Sequence, residues 1–170
     1  MYNENIYILN IIVYKTMILP HLMYCPTILY MFYKTDIERL QGLQNKAMRY
    51  RLNCNKFTKI KLMLDTLEWL GVRNGIEMQV MVFIYKIRNQ LAPEYLIDML
   101  NEANPTHSYE TRQKSDFYLS RVNKASTMNN VFYKGLRAYN KLPDYIKKLK
   151  TLIAFKREMR LLLLSQHLLN

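Results

Sequence analysis

Residues 35–53 have the sequence TDIERLQGLQNKAMRYRLN, which carries the clearest helical pattern of the chain. Thr35 and Glu38 have the spacing of a capping box, in which each side chain bonds the backbone N–H of the other residue, and Asn53 is a suitable C-terminal stop. Apolar and amide residues recur every three or four positions along one side: Ile37, Leu40, Leu43, Gln44 and Ala47. The pattern predicts an amphipathic helix that packs through this face.

The opposite side of the predicted helix is basic. Arg39, Lys46 and Arg49 fall together there, with Gly42 among them. From Arg39 to Lys61 the chain has seven Lys or Arg and no Asp or Glu, and we call these seven residues the basic strip: Arg39, Lys46, Arg49, Arg51, Lys56, Lys59 and Lys61. A solvated face usually mixes the two signs, because Glu–Lys pairs four residues apart stabilise a helix. A strip of one sign repels itself, so we expect an anionic partner against it.

Composition and charge narrow the class of protein. The 170 residues, 50% of them hydrophobic, suffice for one domain or two small ones with a buried core. The formal net charge of +12 favours nucleic acid or another anionic surface as the partner. Residues 107–170 carry 13 Lys or Arg against 4 Asp or Glu, whereas residues 1–106 carry 12 against 9, so most of the net charge is C-terminal.

The cysteines and the N-terminal apolar run indicate the compartment. Cys25 and Cys54 stand alone, without C-x-x-C spacing or a neighbouring His, so neither a zinc site nor a disulfide framework is predicted. The apolar run Ile6–Tyr14 is shorter than the ~20 residues that cross a bilayer, and it lacks the basic start and cleavage site of a signal peptide. We therefore expect a nuclear or cytoplasmic protein without a membrane partner.

The rest of the chain is predicted to be mostly helical, in keeping with its 4 Gly and 5 Pro. The spacing of apolar residues predicts these helices: one that ends or kinks before Pro20, Lys59–Leu70 stopped by Gly71, Ile76–Leu91 as the most buried, Pro93–Leu100, and about Asn129–Leu142, Asp144–Leu149 capped by Asp144, and Thr151–Ser165. Trp69 is expected to pack between helices. Residues 104–127 lack periodicity and are predicted to be a loop with room for short strands.

No catalytic constellation is visible. The five Asp residues, at positions 36, 65, 98, 116 and 144, are isolated from one another, whereas two-metal phosphoryl transfer needs neighbouring carboxylates. The chain has no Gly-rich phosphate loop, no G-x-S-x-G and no H-E-x-x-H. The best polar cluster is His107, Tyr109 and Arg112, and a loop tied down by side-chain hydrogen bonds is favoured there, as a structural role is for His21. We predict no catalytic residue, metal, cofactor or small-molecule substrate.

Short motifs follow one another in order along nearly the whole chain: Tyr14-Lys15-Thr16-x-Ile18-x-Pro20-x-Leu22-x-Tyr24-Cys25; Leu40-Gln41-x-Leu43-Gln44-Asn45-Lys46-Ala47-x-Arg49; Leu67-x-Trp69-Leu70; Tyr85-Lys86-Ile87; Leu91-Ala92-Pro93-x-Tyr95-Leu96; His107-x-Tyr109-x-Thr111-Arg112; Gly135; Asn140-x-Leu142-Pro143 with Ile146-Lys147; and Phe155-Lys156. This ordered set resembles the region just after the polymerase palm in jockey-like non-LTR retrotransposon reverse transcriptases. No single motif is specific, but their order is. The chain departs from the family at Leu29 and Tyr139, where Trp is usual, and at Gly42, where a basic residue is common.

The resemblance implies an all-α fold, with a helical thumb-like bundle and a C-terminal extension that helps to hold RNA or primer–template. It implies three parts: thumb-like helices over 1–55, a helical extension over 56–104, and a basic region over 105–170 with a loop at 105–127 and helices over 129–165. The metal-binding aspartates of the family lie in a palm upstream of this region. We therefore expect a truncated, decayed copy that has no polymerase activity.

Two functions remain open at this point. The first is sequence-independent binding of the RNA or DNA backbone by a non-catalytic remnant, through these residues: Arg39, Lys46, Arg49, Arg112, Lys114, Lys147, Lys148, Lys150, Lys156 and Arg157. The alternative is a decayed or repurposed protein-interaction module with no nucleic-acid role, in which an exposed apolar surface drives association.

Overall fold

The structure, a computed structural model, describes residues 9–101, 117, 119, 124 and 128–169. These residues form helices and no strand, which confirms the all-α prediction. The helices are a π-helical turn Tyr14–Ile18, α1 Leu19–Leu22, α2 Pro26–Leu29, α3 Lys34–Leu52, α4 Ile60–Leu67, α5 Val72–Arg88, α6 Glu94–Asn101, α7 Val131–Asn140, α8 Asp144–Lys147 and α9 Leu152–Leu169.

The chain divides into two compact units. Unit 1 consists of Met1–Glu77 together with Arg160–Asn170, and unit 2 is Met78–Met159. The three parts that the resemblance implies, residues 1–55, 56–104 and 105–170, stay a prediction. Each unit is described below by itself.

Unit 1 has its own hydrophobic core. The buried members of this core come from the π-helical turn, α1, α3, α4, the connection after α4, and α5: Tyr14, Leu22, Ile37, Met48, Met63, Leu64, Trp69, Val72 and Ile76. The Tyr14 ring stacks on the indole of Trp69, with ring centroids 3.7 Å apart and planes 9° apart. Trp69 is therefore a buried packing residue, as predicted from the sequence.

A buried amide network ties α3 to the start of α5. Gln44 is fully buried, and its Nε2 donates to Tyr14 Oη at 2.8 Å and to the Leu70 carbonyl at 2.9 Å. Gln41 Nε2 donates to Gln44 Oε1 at 2.9 Å, while Gln41 Oε1 accepts from the Val72 backbone N–H at 2.8 Å. Gln41 thus satisfies one of the orphan donors at the N-terminus of α5, and α5 begins four residues before the predicted Ile76.

The two ends of α3 differ in how well they match the prediction. Asn53 ends the helix in the left-handed region with φ 48°, which confirms the predicted stop. The prediction of a capping box at the N-terminal end of α3 is wrong. The helix begins at Lys34 with Tyr33 as N-cap and no side-chain cap, so Thr35 lies inside the first turn. The Glu38 carboxylate lies 3.7 Å from Lys34 Nζ and does not cap the backbone.

The buried face of α3 is also rotated relative to the prediction. The sequence pattern places Leu43 on the packing face, but its side chain is exposed. Met48, which the pattern leaves out of that face, is completely buried. Successive helical residues are about 100° apart, so Met48 lies only about 40° from Gln44 while Leu43 lies about 100° from it. Because the amide network fixes Gln44 in the interior, Met48 follows it inward and Leu43 turns toward solvent.

The helix that was predicted to end or kink before Pro20 does not end there. Residues 9–13 are helical, and the helix continues through the π-helical turn into α1, which has Pro20 in its first turn. In the π turn the Leu19 N–H bonds the Tyr14 carbonyl, five residues back. This wider turn comes just before Pro20, which has no N–H to donate.

His21 Nδ1 donates to the Met17 carbonyl at 2.6 Å, which is the structural role expected for this histidine.

α4 ends earlier than the prediction placed it. Its last residue is Leu67, and Glu68 adopts the left-handed conformation with φ 52°, so Gly71 is not the stop. The Trp69 N–H then reaches back to the Leu64 carbonyl at 3.0 Å, a six-residue closure that turns the indole into the core. The burial of Trp69 therefore outweighs the preference for glycine at this position.

Unit 2 is built around the second part of α5. This helix is the most buried of the described helices, which confirms the prediction, although it ends at Arg88 and not at Leu91. The fully buried Tyr85 ring stacks on Phe155 of α9 with centroids 4.2 Å apart, and its hydroxyl donates to the Leu149 carbonyl at 2.8 Å. Tyr139 of α7 also stacks on Phe155, with ring centroids 6.3 Å apart.

Gly135 allows α7 to approach α5 closely. A Cβ atom at this position would lie 2.9 Å from Ile84 Cδ1 and 3.1 Å from Val80 Cγ1. We predict that Gly135→Leu lowers the free energy of unfolding by about 1–3 kcal/mol, as overpacking usually does. Gly42→Leu is the matched control, because nothing lies within 4 Å of its Cβ position. Urea titration should show a lower midpoint for Gly135→Leu only, and equal midpoints for the two variants would contradict the close approach.

Candidate nucleic-acid interface

The basic strip lies wholly in unit 1, on α3, on the connection that follows it and at the start of α4. Five of its seven residues are exposed: Arg39, Lys46, Lys56, Lys59 and Lys61. Arg49 and Arg51, in the last turn of α3, are half-buried. Because α3 and α4 pack against each other, the cations of both helices belong to one folded element of the unit.

Part of the basic strip forms a line along α3. Arg39, Leu43, Lys46 and Tyr50 are all exposed and follow one another at spacings of four, three and four residues, which keeps them on one side of a helix. Arg49 lies about 60° around the axis from Lys46. Its Nε atom is buried without a hydrogen-bond partner. Of the three predicted contacts on α3, two therefore share this line and the third lies at its edge.

The acidic residues of α3 are confined to its first two turns. Arg39 Nη1 lies 3.7 Å from Asp36 Oδ1, in a pair whose arginine side chain is largely exposed. Exposed pairs of this kind are worth about 0.2–1 kcal/mol and are screened by salt. A phosphate can therefore compete with Asp36 for the Arg39 guanidinium, and from Leu40 to Ile60 the sequence offers no carboxylate at all.

A second set of predicted contacts lies in unit 2. Lys148 and Lys150 are exposed in the chain between α8 and α9, and Lys156 and Arg157 are exposed in the first part of α9. Sequence reasoning missed three further exposed cations among the described residues of the same unit: Lys124, Arg137 and Lys141.

Lys147 does not belong with these exposed cations. The prediction that it contacts phosphate is wrong, because its side chain is buried. Its side chain is only 4% exposed. The ammonium donates to the Asn140 carbonyl at 2.7 Å, at the end of α7, and lies 3.6 Å from Asp144 Oδ1. Asp144 in turn is the first residue of α8 and not its cap, which is Pro143. Lys147 thus satisfies an orphan carbonyl of α7 and holds α8 against it.

The remaining predicted positions cannot be placed. Arg112 and Lys114 lie outside the described residues, as do His107 and Tyr109 of the polar cluster. Among the residues that the structure describes, no group of three or more His, Cys, Asp or Glu is arranged to hold a metal ion. None of the described helices has the length and apolar character needed to cross a membrane.

Sequence reasoning also missed two aromatic residues among the cations. Tyr50 is 76% exposed and stands between Arg49 and Arg51, and Phe57 is 80% exposed and follows Lys56. The Lys56 ammonium lies 5.0 Å from the centroid of the Phe57 ring. The signal that could have found them is the alternation of aromatic and basic residues, which is typical of surfaces that bind unpaired nucleic acid.

The chain matches no protein-family profile, no curated protein and no solved structure. The likeness to reverse transcriptases therefore rests on the sequence motifs alone. The function has to be argued from the exposed side chains of the two units.

Proposed function

We propose that the chain is a non-catalytic remnant of a non-LTR retrotransposon reverse transcriptase that binds the RNA or DNA backbone through the basic strip. The observation that supports this proposal best is the combination of charge and exposure. Seven cations follow one another without a carboxylate, and five of them are exposed on adjoining parts of one unit. Phosphate groups would relieve the mutual repulsion of these cations, because each contact releases condensed counterions.

The proposed binding does not depend on sequence. Lys and Arg side chains that contact phosphate fix the position of a nucleic acid but carry no information about its bases. Lys148, Lys150, Lys156 and Arg157 of unit 2 are proposed as further backbone contacts. Arg112 and Lys114 remain part of this proposal on the basis of the sequence alone.

The test removes charge from the basic strip without reversing it. We predict that Arg39→Gln, Lys46→Gln and Lys59→Gln together lower the slope of log affinity against log salt by about 2, since each phosphate contact on a single strand contributes about 0.7. The same change corresponds to a loss of affinity of about a hundredfold at 0.1 M salt. Fluorescence anisotropy of a labelled 20-nucleotide strand across a salt series measures both quantities, and circular dichroism checks that the helices are intact.

The control variant removes the same charge from the same unit. Lys15, Lys34 and Arg73 are exposed cations of unit 1 outside the basic strip. Changing all three to Gln should leave the slope within about 0.5 of the wild-type value, because none of them is proposed to contact phosphate. Equal losses in both triple variants would mean that only net charge matters and that the strip is not a site.

A protein-interaction module is the second candidate, and one feature of unit 1 favours it. From residue 9 to residue 33 the sequence has a single Lys, Arg, Asp or Glu, Lys15. Nine large apolar side chains of this segment are nevertheless exposed: Leu9, Ile12, Val13, Met17, Tyr24, Ile28, Met31, Phe32 and Tyr33. Salt-dependent binding of nucleic acid by a monodisperse sample would favour the first candidate. Association between protein molecules without any nucleic-acid binding would favour this second one.

A further inference from the structure

We infer that the basic strip binds single-stranded nucleic acid in preference to a duplex, with Tyr50 and Phe57 stacking on unpaired bases. This inference rests on the proposed function and adds the class of ligand and the two residues that select it. It depends on where the two rings lie, on what surrounds them and on what an exposed ring can recognise.

Tyr50 projects from α3 among the cations of the strip. It lies in the last turn of the helix, four residues after Lys46 and eleven after Arg39, and so belongs to the exposed line that these two cations form. A backbone that follows Arg39 and Lys46 would therefore bring its bases past the phenol ring. The ring is not needed for the fold of unit 1, because Trp69 and Tyr14 supply the aromatic pair of its core.

The fold of the described residues does not explain why the Phe57 ring is exposed. It stands in the connection between α3 and α4, where the Thr58 N–H closes a turn onto the Asn55 carbonyl at 3.0 Å. A phenylalanine ring has no polar atom to gain from water, so an open face is unfavourable until something apolar covers it. The Lys56 ammonium, which lies over one face of the ring, would hold a phosphate within reach of it, and the adjoining base could then stack on the opposite face.

A duplex cannot use these two rings. Its bases are already stacked on one another and present only their edges in the grooves, and the major groove of an RNA duplex is too narrow for side chains. An unpaired strand exposes the faces of its bases, and stacking on aromatic side chains is tolerant of base identity. The cations would bind either form through phosphate, so the rings are the feature that distinguishes the two.

The test compares strands and duplex on the same variants. Wild-type protein should bind a 20-nucleotide oligo(U) or oligo(dT) at least tenfold more tightly than a 20-base-pair duplex at the same salt concentration. Tyr50→Ala and Phe57→Ala should each weaken single-strand binding by about tenfold, within the range measured for aromatic stacking. Duplex affinity and the salt slope should stay unchanged because no charge is altered. Comparing oligo(U) with oligo(dU), which differ only in the 2′-hydroxyl, shows which sugar is preferred, and either preference supports the inference.

Tyr95→Ala is the matched control. Tyr95 is 67% exposed on α6 and stands between Glu94 and Asp98, in a stretch of sequence, residues 89–111, that has no Lys or Arg. Its replacement should change neither affinity, whereas Tyr50→Trp and Phe57→Trp should retain single-strand binding. Equal affinities of wild type for strand and duplex, or equal effects of Tyr50→Ala and Tyr95→Ala, would overturn the inference. If the three Gln substitutions still abolished binding in that case, the proposed function would stand; no binding of either ligand by wild type would overturn both.

Discussion

Replacing Phe155 by alanine should lower the free energy of unfolding by about 3–5 kcal/mol, the cost typical of removing a buried aromatic side chain. Phe155 is completely buried in unit 2, where its ring stacks on those of Tyr85 and Tyr139 with centroids 4.2 and 6.3 Å away. Its removal leaves a cavity that the two stiff tyrosine rings cannot close without leaving their positions. Since domains are typically stable by about 5–15 kcal/mol, a loss of this size removes a large part of the total.

Urea unfolding followed by circular dichroism at 222 nm measures this loss. Ile153→Ala is the control on the same helix, because Ile153 is 83% exposed and lies in the same first turns of α9. Its effect should stay within about 0.5 kcal/mol, as for surface substitutions in general. Phe155→Leu should fall between the two, since it restores part of the volume. Similar midpoints for Phe155→Ala and Ile153→Ala would show that the ring cluster does not support unit 2.

Replacing Gln44 by alanine should cost about 2–4 kcal/mol, because it opens a cavity and leaves buried polar groups without partners. Gln44 bonds Tyr14 Oη, the Leu70 carbonyl and the Gln41 amide; Gln44 and Tyr14 are buried, and Leu70 and Gln41 are half-buried. Gln44→Leu should remain destabilising even though it fills the space, since it restores no hydrogen bond. An exposed amide on α5, Gln79, provides the control through Gln79→Ala.

The single tryptophan gives this second prediction a local readout. Trp69 stacks on Tyr14, whose hydroxyl Gln44 holds in place. In the folded Gln44→Ala protein the freed tyrosine ring should let water approach the indole, so that its emission shifts to longer wavelength, while Gln79→Ala leaves the emission unchanged. A Gln44→Ala protein as stable as wild type, with the wild-type emission, would show that the amide network contributes nothing to the fold.

The elements that the sequence predicted well are those whose signals are local. Asn53 ends α3 because a left-handed residue is needed there, and residues 80–85 of α5 are buried or half-buried because no polar residue interrupts this stretch. The errors have tertiary causes. Thr35 lost its capping role because the helix begins two residues earlier than predicted, with Tyr33 as N-cap, and Leu43 turned outward when the network fixed Gln44 inside. Neither effect is visible in the spacing of residues along one helix.

In the candidate site, too, the local signals predicted well and the errors came from tertiary contacts. Charge counting predicted the exposed cations of α3 and α9, because a charged side chain without a buried partner stays in water. It failed at Lys147, whose ammonium reaches a carbonyl seven residues earlier, since only the packing of α8 on α7 brings the two together. Tyr50 and Phe57 were missed because aromatic residues are usually assigned to a core, and only their exposure in the structure separates them from the buried rings.

The π-helical turn at Tyr14–Ile18 acts as a phase shift in the N-terminal helix. Its hydrogen bond spans five residues where an α-helix spans four, so it accommodates one residue more than a regular turn. Deleting a single residue from this turn would restore a regular helix and rotate everything before it by about 100° about the axis. The extra residue of this turn therefore determines which apolar side chains of residues 9–13 are exposed to solvent. A one-residue change in length here would redirect that surface without altering a single side chain on it.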